Sequence, residues 1–171
     1  MSDDIKIYRK WAMPNSRTFS IKPIKELLEE EINEGIWIDP FANESKFASI
    51  TNDLNPDYDT DYHMDALEFL KMFDDNSVDG VLYDLPYSGR QISECYKGVG
   101  LPVTGKHTSS AFWGDQKKEI SRIVKKGGKV ISFGWNSGGI GKSNGFKIVK
   151  ILLVFHMVVG ITIQYVLLKK K

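Results

Sequence analysis

Short apolar segments rich in β-branched residues alternate with segments of helical period along this chain. That alternation restricts the fold to an α/β architecture built on a mainly parallel sheet. Lys22 to Asn33 reads as a helix, with Pro23 in its first turn and Ile24, Leu27, Leu28 and Ile32 on one face. Gly35 ends it, and Ile36-Trp37-Ile38 follows as a short buried strand. Ala48 to Thr51 is predicted as the next strand, Met64 to Phe73 as a helix and Val78 to Tyr83 as a strand. Ser109 to Lys125 is predicted as a helix stopped by Gly127-Gly128. Strands are then expected over Lys129 to Phe133 and Phe146 to Phe155. No repeat or low-complexity linker divides the chain, so residues 1–171 are expected to form one domain.

Composition narrows the classes further. With 42% hydrophobic and 26% charged residues, the chain has the makeup of a soluble domain with its own core. A net charge of +1 provides no general basic field for nucleic acid, so any such binding needs a local patch or a partner. The single cysteine, Cys95, excludes an internal disulfide and fits a reducing cytoplasm. His63, His107 and His156 show no metal-ligand spacing, so no metal is expected. Met-Ser-Asp-Asp with no apolar run behind it carries no secretory signal. Ile151 to Leu168 lacks formal charge and precedes Lys169-Lys170-Lys171, which raises the question of a membrane span. Its β-branched content and the interruptions at His156, Gly160 and Gln164 favour two apolar strands joined near Met157–Gly160, and no membrane association is expected.

The segment Val78 to Tyr83 runs into Asp84-Leu85-Pro86-Tyr87. Open α/β sheets bind ligands at the carboxyl ends of their strands, where these four residues would stand. Asp84 can accept a hydrogen bond from an amine. Pro86 stiffens a turn whose carbonyls point outward, and Tyr87 offers a face on which a base can stack. Taken alone, the four residues serve equally as a turn cap after a buried strand. At the end of the first predicted strand lies Asp39-Pro40-Phe41-Ala42-Asn43-Glu44-Ser45, and the second ends in Asn52-Asp53. A loop after one strand and an acid after the next suit a bound nucleoside, the acid accepting the ribose hydroxyls. Asp65, before Ala66, stands where a third strand should stop and can receive an adenine amino group.

Asp84-Leu85-Pro86-Tyr87 resembles the Asp-Pro-Pro-Tyr motif of amino-methylating DNA methyltransferases, with Leu85 replacing the first proline. Lys22-Pro23-Ile24-Lys25-Glu26-Leu27-Leu28 is similar to that family's Lys-Pro-x-x-Leu-Leu segment, which lines the methionine end of S-adenosylmethionine. Asp39-Pro40-Phe41 resembles the opening of its cofactor loop, although Asn43 and Ser45 stand where the family has glycines. A narrower group of phage and archaeal adenine methyltransferases shares Ile50-Thr51-Asn52-Asp53-Leu54-Asn55-Pro56, Tyr87-Ser88, Arg90-Gln91, Glu94-Cys95-Tyr96 and Phe133-Gly134-Trp135-Asn136.

The resemblance implies a Rossmann-like methyltransferase fold, mainly parallel with a terminal antiparallel strand, and S-adenosylmethionine as cofactor. It places the cofactor on Lys22, Pro23, Asp39, Pro40, Phe41, Asn43, Asp53, Asp65 and Ala66. Catalysis falls to Asp84, the backbone at Leu85 and Pro86, and Tyr87. Arg90 and Gln91 can reach a phosphate or neighbouring base, or remain solvated loop residues. Trp135 and Asn136 can wall the base pocket, with core packing the alternative for Trp135.

The expected reaction is methylation of the 6-amino group of adenine in DNA, with an RNA adenine methyltransferase or a silent cofactor-binding module as alternatives. The chain is too short for a separate target-recognition domain, so a homodimer or a specificity partner would supply recognition. Two other features lead elsewhere. Asn136 to Ser143 nearly spells a nucleotide-binding P-loop, but the first glycine is absent and no helix pattern follows. Cys95 is expected to be a buried, inert thiol rather than a nucleophile.

The tail departs from the resemblance. The narrower group ends in a strand reading approximately H-G-G-G-H-N-D-T-I, where this chain has His156-Met157-Val158-Val159-Gly160-Ile161-Thr162-Ile163-Gln164. Codons exist for these residues that spell the former when read one nucleotide earlier. A frameshift near His156 is therefore expected, with β-prone residues replacing the original strand.

Overall fold

The computed structural model describes residues 4–32, 34–86, 88–105, 107, 109–157 and 161–171. Its strands are β1 (Lys6–Trp11), β2 (Trp37–Asp39), β3 (Ile50–Thr51), β4 (Val78–Tyr83), β5 (Val124–Gly134), β6 (Lys147–Met157) and β7 (Ile161–Lys170). The helices are α1 (Lys22–Glu31), α2 (Ala66–Lys71), α3 (Gly89–Gly98) and α4 (Ser110–Ile123). All seven strands form one sheet in the order β1-β6-β7-β5-β4-β2-β3. Every pair is parallel except those of β7, which runs antiparallel to both β5 and β6. The expected mainly parallel α/β sheet with a terminal antiparallel strand is what forms.

Alternation along β4 and β5 sends side chains into two separate cores, one on each face. Leu82 and Ile131 join Ile24 and Leu28 of α1 on one face, with Phe19, Trp37, Phe133 and Val166. Val81, Tyr83 and Val130 pack on the other face against Phe69 and Leu70 of α2 and Ile120 and Ile123 of α4. Gly80 allows the indole of Trp37 to lie against the β4 backbone, where a Cβ would meet the ring at 2.4 Å.

The chain leaves β2 toward β3, then crosses back to β4 on the other side of β2. This reversal makes the carboxyl ends of β2 and β4 a topological switch point. Asp39 closes β2 and Asp84 directly follows β4, so the topology brings two predicted site residues to one edge of the sheet.

Several boundaries differ from expectation. The helix over Lys22 to Asn33 is observed to Glu31, and Asn33 lies outside the described residues. α4 ends at Ile123 because Val124 already pairs with Val78. Gly127-Gly128 therefore does not cap the helix. It lies in a bulge where the register jumps from Val78–Val124 to Gly80–Lys129, with Gly127 at φ +82°. The strand expected before Asp65 is reduced, among the described residues, to a single parallel bridge between Asn52 and Tyr62. β1 was not anticipated: every residue in it is exposed, and it forms by pairing with the edge of β6, where Trp11 packs on Phe155.

Beyond His156 the apolar tail forms β7, threaded between β5 and β6 with Val166, Leu167 and Leu168 buried. The expected turn near Met157–Gly160 falls on residues 158–160, outside the described residues. Among the described residues, no helix is long and apolar enough to cross a membrane.

The near-P-loop segment has the wrong polarity for a phosphate. Lys169, almost fully buried, donates from Nζ to the carbonyls of Gly138 (2.8 Å) and Ile140 (2.6 Å). Burial, helped by the charge of Lys117, pushes its ammonium down to about 8. A phosphate loop presents N–H groups at a helix N-terminus. Here carbonyls wrap a cation, and a short 3-10 turn (Lys142–Asn144) follows.

Candidate active site

The site grows from three loops at the carboxyl ends of β2, β3 and β4. In the first, Asp39 is fully buried, and its Oδ1 accepts from the Phe41 backbone N–H at 3.0 Å. Among the described residues its Oδ2 has no hydrogen-bond partner. Burial, with the negative charges of Asp84 and Asp53 nearby, raises this carboxyl well above the usual carboxylate range. Asp39 lines neither cavity described below; it shapes the turn that presents Phe41. Asn43 adopts the left-handed conformation (φ +55°) and donates its backbone N–H to Asp53 Oδ2 at 2.9 Å. Asparagine tolerates that conformation better than most residues, and a glycine is not needed there.

Asp53 follows β3 and organises two turns, since its Oδ1 accepts from the Asn55 N–H at 2.9 Å. Each oxygen retains lone-pair capacity toward a ligand. Asp65 caps α2 by accepting from the Leu67 N–H at 2.9 Å, and its second oxygen accepts from the Tyr96 hydroxyl. Tyr96, on α3, stacks on His107 with ring centroids 4.3 Å apart.

These loops enclose a cavity of about 500 Å³. It brings together Pro40, Phe41, Asn43, Asp53, Asp65, Ala66, Asp84, Leu85, Pro86 and Gln91 of the sequence-predicted set. Four carboxylates line it (Asp53, Asp65, Asp84 and Glu94), and among its described lining residues there is no Lys, Arg or His. Such a lining attracts a cationic, aromatic ligand and repels polyphosphates. A second cavity of about 580 Å³ adjoins it, sharing Thr18, Phe41, Asn43, Tyr58 and Asp84. That one contains the cations Arg17, Lys25 and Lys46, with Glu44 paired to Arg17. The pair thus offers a negative chamber and a more basic annex that meet at Asp84.

Other predicted residues sit elsewhere. Lys22 is exposed and Pro23 half-buried in the first turn of α1; Lys25, one turn on, reaches the second cavity. Arg90 is exposed and pairs with Glu94 at 2.8 Å. Trp135 and Asn136 are exposed just beyond β5, with Asn136 Oδ1 accepting from the Gly138 N–H at 2.8 Å. Exposure of Trp135 does not match the core-packing alternative. Tyr87 lies outside the described residues. Cys95 is exposed, not buried as expected, yet partial desolvation of its thiol and the charges of Asp53 and Glu94 push it up and keep it a poor nucleophile. Among the described residues no cluster of potential ligands could hold a metal ion.

Two site residues escaped the sequence reading. Asn52 is fully buried; its Nδ2 donates to the carbonyls of Pro40 (3.1 Å) and Met64 (3.0 Å), and its Oδ1 accepts from the Met64 N–H (3.1 Å). It ties the cofactor-type loop to the segment that positions Asp65. Gln116 is fully buried in α4 and lines the first cavity. Its signal was legible: Phe112, Gln116 and Ile120 fall at i, i+4 and i+8, so a polar residue interrupts an apolar stripe.

No protein-family profile matches the chain, and no curated protein sequence does. Solved structures do match. A SAM-dependent methyltransferase from Archaeoglobus fulgidus superposes with a TM-score of 0.57 at 12% identity, covering 92% of this chain and 95% of that one. The 1,6-didemethyltoxoflavin-N1-methyltransferase of Burkholderia thailandensis, determined with 1,6-didemethyltoxoflavin and S-adenosylhomocysteine bound, gives a TM-score of 0.58 at 12% identity over 88% of this chain and 77% of that one. TrmN from Thermus thermophilus gives 0.56 at 13% identity, over 88% of this chain but 49% of that longer protein. This chain has the Rossmann-like fold of the SAM-dependent methyltransferases.

Proposed function

We propose that the protein transfers a methyl group from S-adenosylmethionine to the 6-amino group of adenine in DNA. The observation that carries the reading is the cavity at the switch point, lined by carboxylates and by no cation among its described residues, which shares Asp84 with a more basic annex. A sulfonium nucleoside suits the first chamber, and an amino-acid carboxylate suits the cations of the second.

When bound, S-adenosylmethionine supplies an electrophilic methyl group on a positively charged sulfur. The chain's own residues bind and align. Asp53 accepts from the ribose hydroxyls through the lone pairs that its two turn hydrogen bonds leave over. Ala66 and the Asp65 cap present the start of α2 to the adenine, and Pro40 and Phe41 flank the methionine portion. Asp84 accepts one proton of the target amine, and the backbone carbonyl at Leu85 or Pro86 accepts the other. These two hydrogen bonds turn the nitrogen lone pair out of the ring plane toward the methyl carbon. The carboxylate then stabilises positive charge developing on nitrogen and would pass to solvent the proton that the methylated amine gives up, S-adenosylhomocysteine being the other product. Neither a metal nor a covalent enzyme intermediate is needed, because alignment is the main requirement.

Tyr87 stacks on the flipped base in this scheme, offsetting part of an unstacking cost of a few kcal/mol. Gln91, at the cavity, and Arg90, Trp135 and Asn136, outside it, are the contacts offered to the surrounding strand. Recognition of a particular DNA sequence comes from a second copy or a specificity partner.

The test is a labelled-methyl transfer assay on unmethylated duplex DNA and on structured RNA, with products resolved as nucleosides. N6-methyldeoxyadenosine is expected. Methylated adenosine from RNA alone would move the enzyme to RNA, and cofactor binding without any product would make it a silent module.

A further inference from the structure

Gln116 is the one fully buried side chain lining the first cavity that has an unpartnered polar atom among the described residues, its Nε2. Its other end is held. The buried Tyr83 hydroxyl donates to Gln116 Oε1 at 2.9 Å, across 33 residues of sequence. Burial raises the Tyr83 phenol far above its ordinary value, so it stays protonated and keeps donating. This bond orients the amide: rotating it would leave the phenol proton without the acceptor the structure provides, and burying such a group unpaired is unfavourable. Tyr83 also directly precedes Asp84, so the oriented amide and the proposed amine acceptor share one strand end.

An N–H fixed at a cavity lined by four carboxylates, beside neutral polar groups such as Asn43, Asn55, Tyr58 and Gln91, is complementary to a ligand that donates at one edge and accepts at another. An adenine ring does both, through its exocyclic amine and its ring nitrogens. We propose that Gln116 is a specificity-determining residue whose Nε2 donates to a ring nitrogen of an adenine held in this cavity, with Tyr83 as its positioning residue. The inference rests on the reaction proposed above. That reaction brings two adenines to the site, one in the cofactor and one in the target, and the chemistry is the same for both.

The experiment has one arm for each source. Calorimetry compares S-adenosylhomocysteine with its 1-deaza, 3-deaza and 7-deaza analogues, for the parent and for Gln116→Met. Transfer rates compare duplexes carrying adenine with duplexes carrying its 1-deaza or 7-deaza counterpart at the target position, for the same two proteins. In one arm the parent should disfavour one analogue by about tenfold, a difference of ~1.4 kcal/mol, and Gln116→Met should erase that preference. Gln116→Glu keeps the acceptor for Tyr83 but faces an acceptor with an acceptor, so it should bind the natural ligand more weakly than the parent does. It also covers the case in which Gln116→Met fails to fold. Tyr83→Phe should reduce the discrimination while leaving the protein folded. Preferences unchanged by Gln116→Met in both arms would overturn the inference while leaving the methyltransferase reading intact. Failure of the parent to bind S-adenosylhomocysteine or to methylate any adenine would overturn both.

Discussion

Replacing Asn52 should loosen the whole cofactor side of the site, and the structure sets the size of the effect. Asn52→Ala removes three hydrogen bonds, to the carbonyls of Pro40 and Met64 and from the N–H of Met64. The bond to Pro40 is fully buried, so leaving that carbonyl unpaired costs about 1–3 kcal/mol. The Met64 groups are part-buried and can recruit water, so about 0.5–1.5 kcal/mol for each is reasonable. The sum, roughly 2–6 kcal/mol, is a large share of the 5–15 kcal/mol available to a typical domain.

Asn52→Asp is the sharper probe. It keeps an acceptor for the Met64 N–H but aims its second oxygen at two carbonyls. At neutral pH it should be less stable than Asn52→Ala. Its carboxyl should have a folded-state pKa raised above the unfolded value near 4, so its stability is full below that value and is lost as pH rises through the folded one. Urea unfolding at pH 5 and pH 7.5, followed by circular dichroism, measures both. A loss below about 1 kcal/mol for Asn52→Ala, or an aspartate variant more stable than the alanine one at pH 7.5, would refute the reasoning.

Asp39→Asn should stabilise the protein at neutral pH. The Asp39 carboxyl is raised by burial, so its own contribution is fully present below about pH 4 and is lost as pH rises through the folded value, whereas the amide has no such slope. Thermal melts from pH 4 to 8 should show the variant's advantage growing with pH, and a constant difference would contradict this. For Lys169, lowered to about 8, the folded state binds fewer protons than the unfolded chain between about pH 8 and 10.5. The stability of the parent relative to Lys169→Met should therefore rise across that window; a fall would show that the ammonium form is the preferred one. For the tail, sequencing the gene across His156 should reveal a shifted frame that spells the glycine-histidine segment. The chain rebuilt in that frame should melt higher or react faster, and a coding sequence without that segment would end the idea.

What could be read in advance follows from where the information sits. β4 was legible over its full length because it opens on Val78 and ends in the apolar run Val81-Leu82-Tyr83, closed by an acid and a proline. The paired apolar tail was legible for the same reason, since His156 and Gln164 interrupt it without breaking its β-branched character. β1 was not, because its residues neither alternate nor bury a face and it exists only by pairing with β6, more than 140 residues away. The end of α4 was misplaced because glycines suggest a stop, whereas Val124 had already been captured by Val78. Within the site, Asp39, Asp53 and Asp84 were legible from their positions at strand ends, whereas Asp65 follows only an isolated bridge and not the strand expected there. Asn52 was missed because its function lies in contacts across 12 residues to backbone groups, which no side-chain motif reports. Gln116 needs Tyr83 to reveal its role.

In the proposed reaction Asp84, which lines both cavities, holds the amine that receives the methyl group. The direct measurement pairs calorimetry of S-adenosylmethionine binding with single-turnover methyl transfer to duplex DNA, for the parent and for Asp84→Ala. The account predicts that the variant binds the cofactor within a few-fold of the parent and transfers no methyl group to adenine. Transfer at the parental rate, or loss of cofactor binding as the main defect, would contradict it.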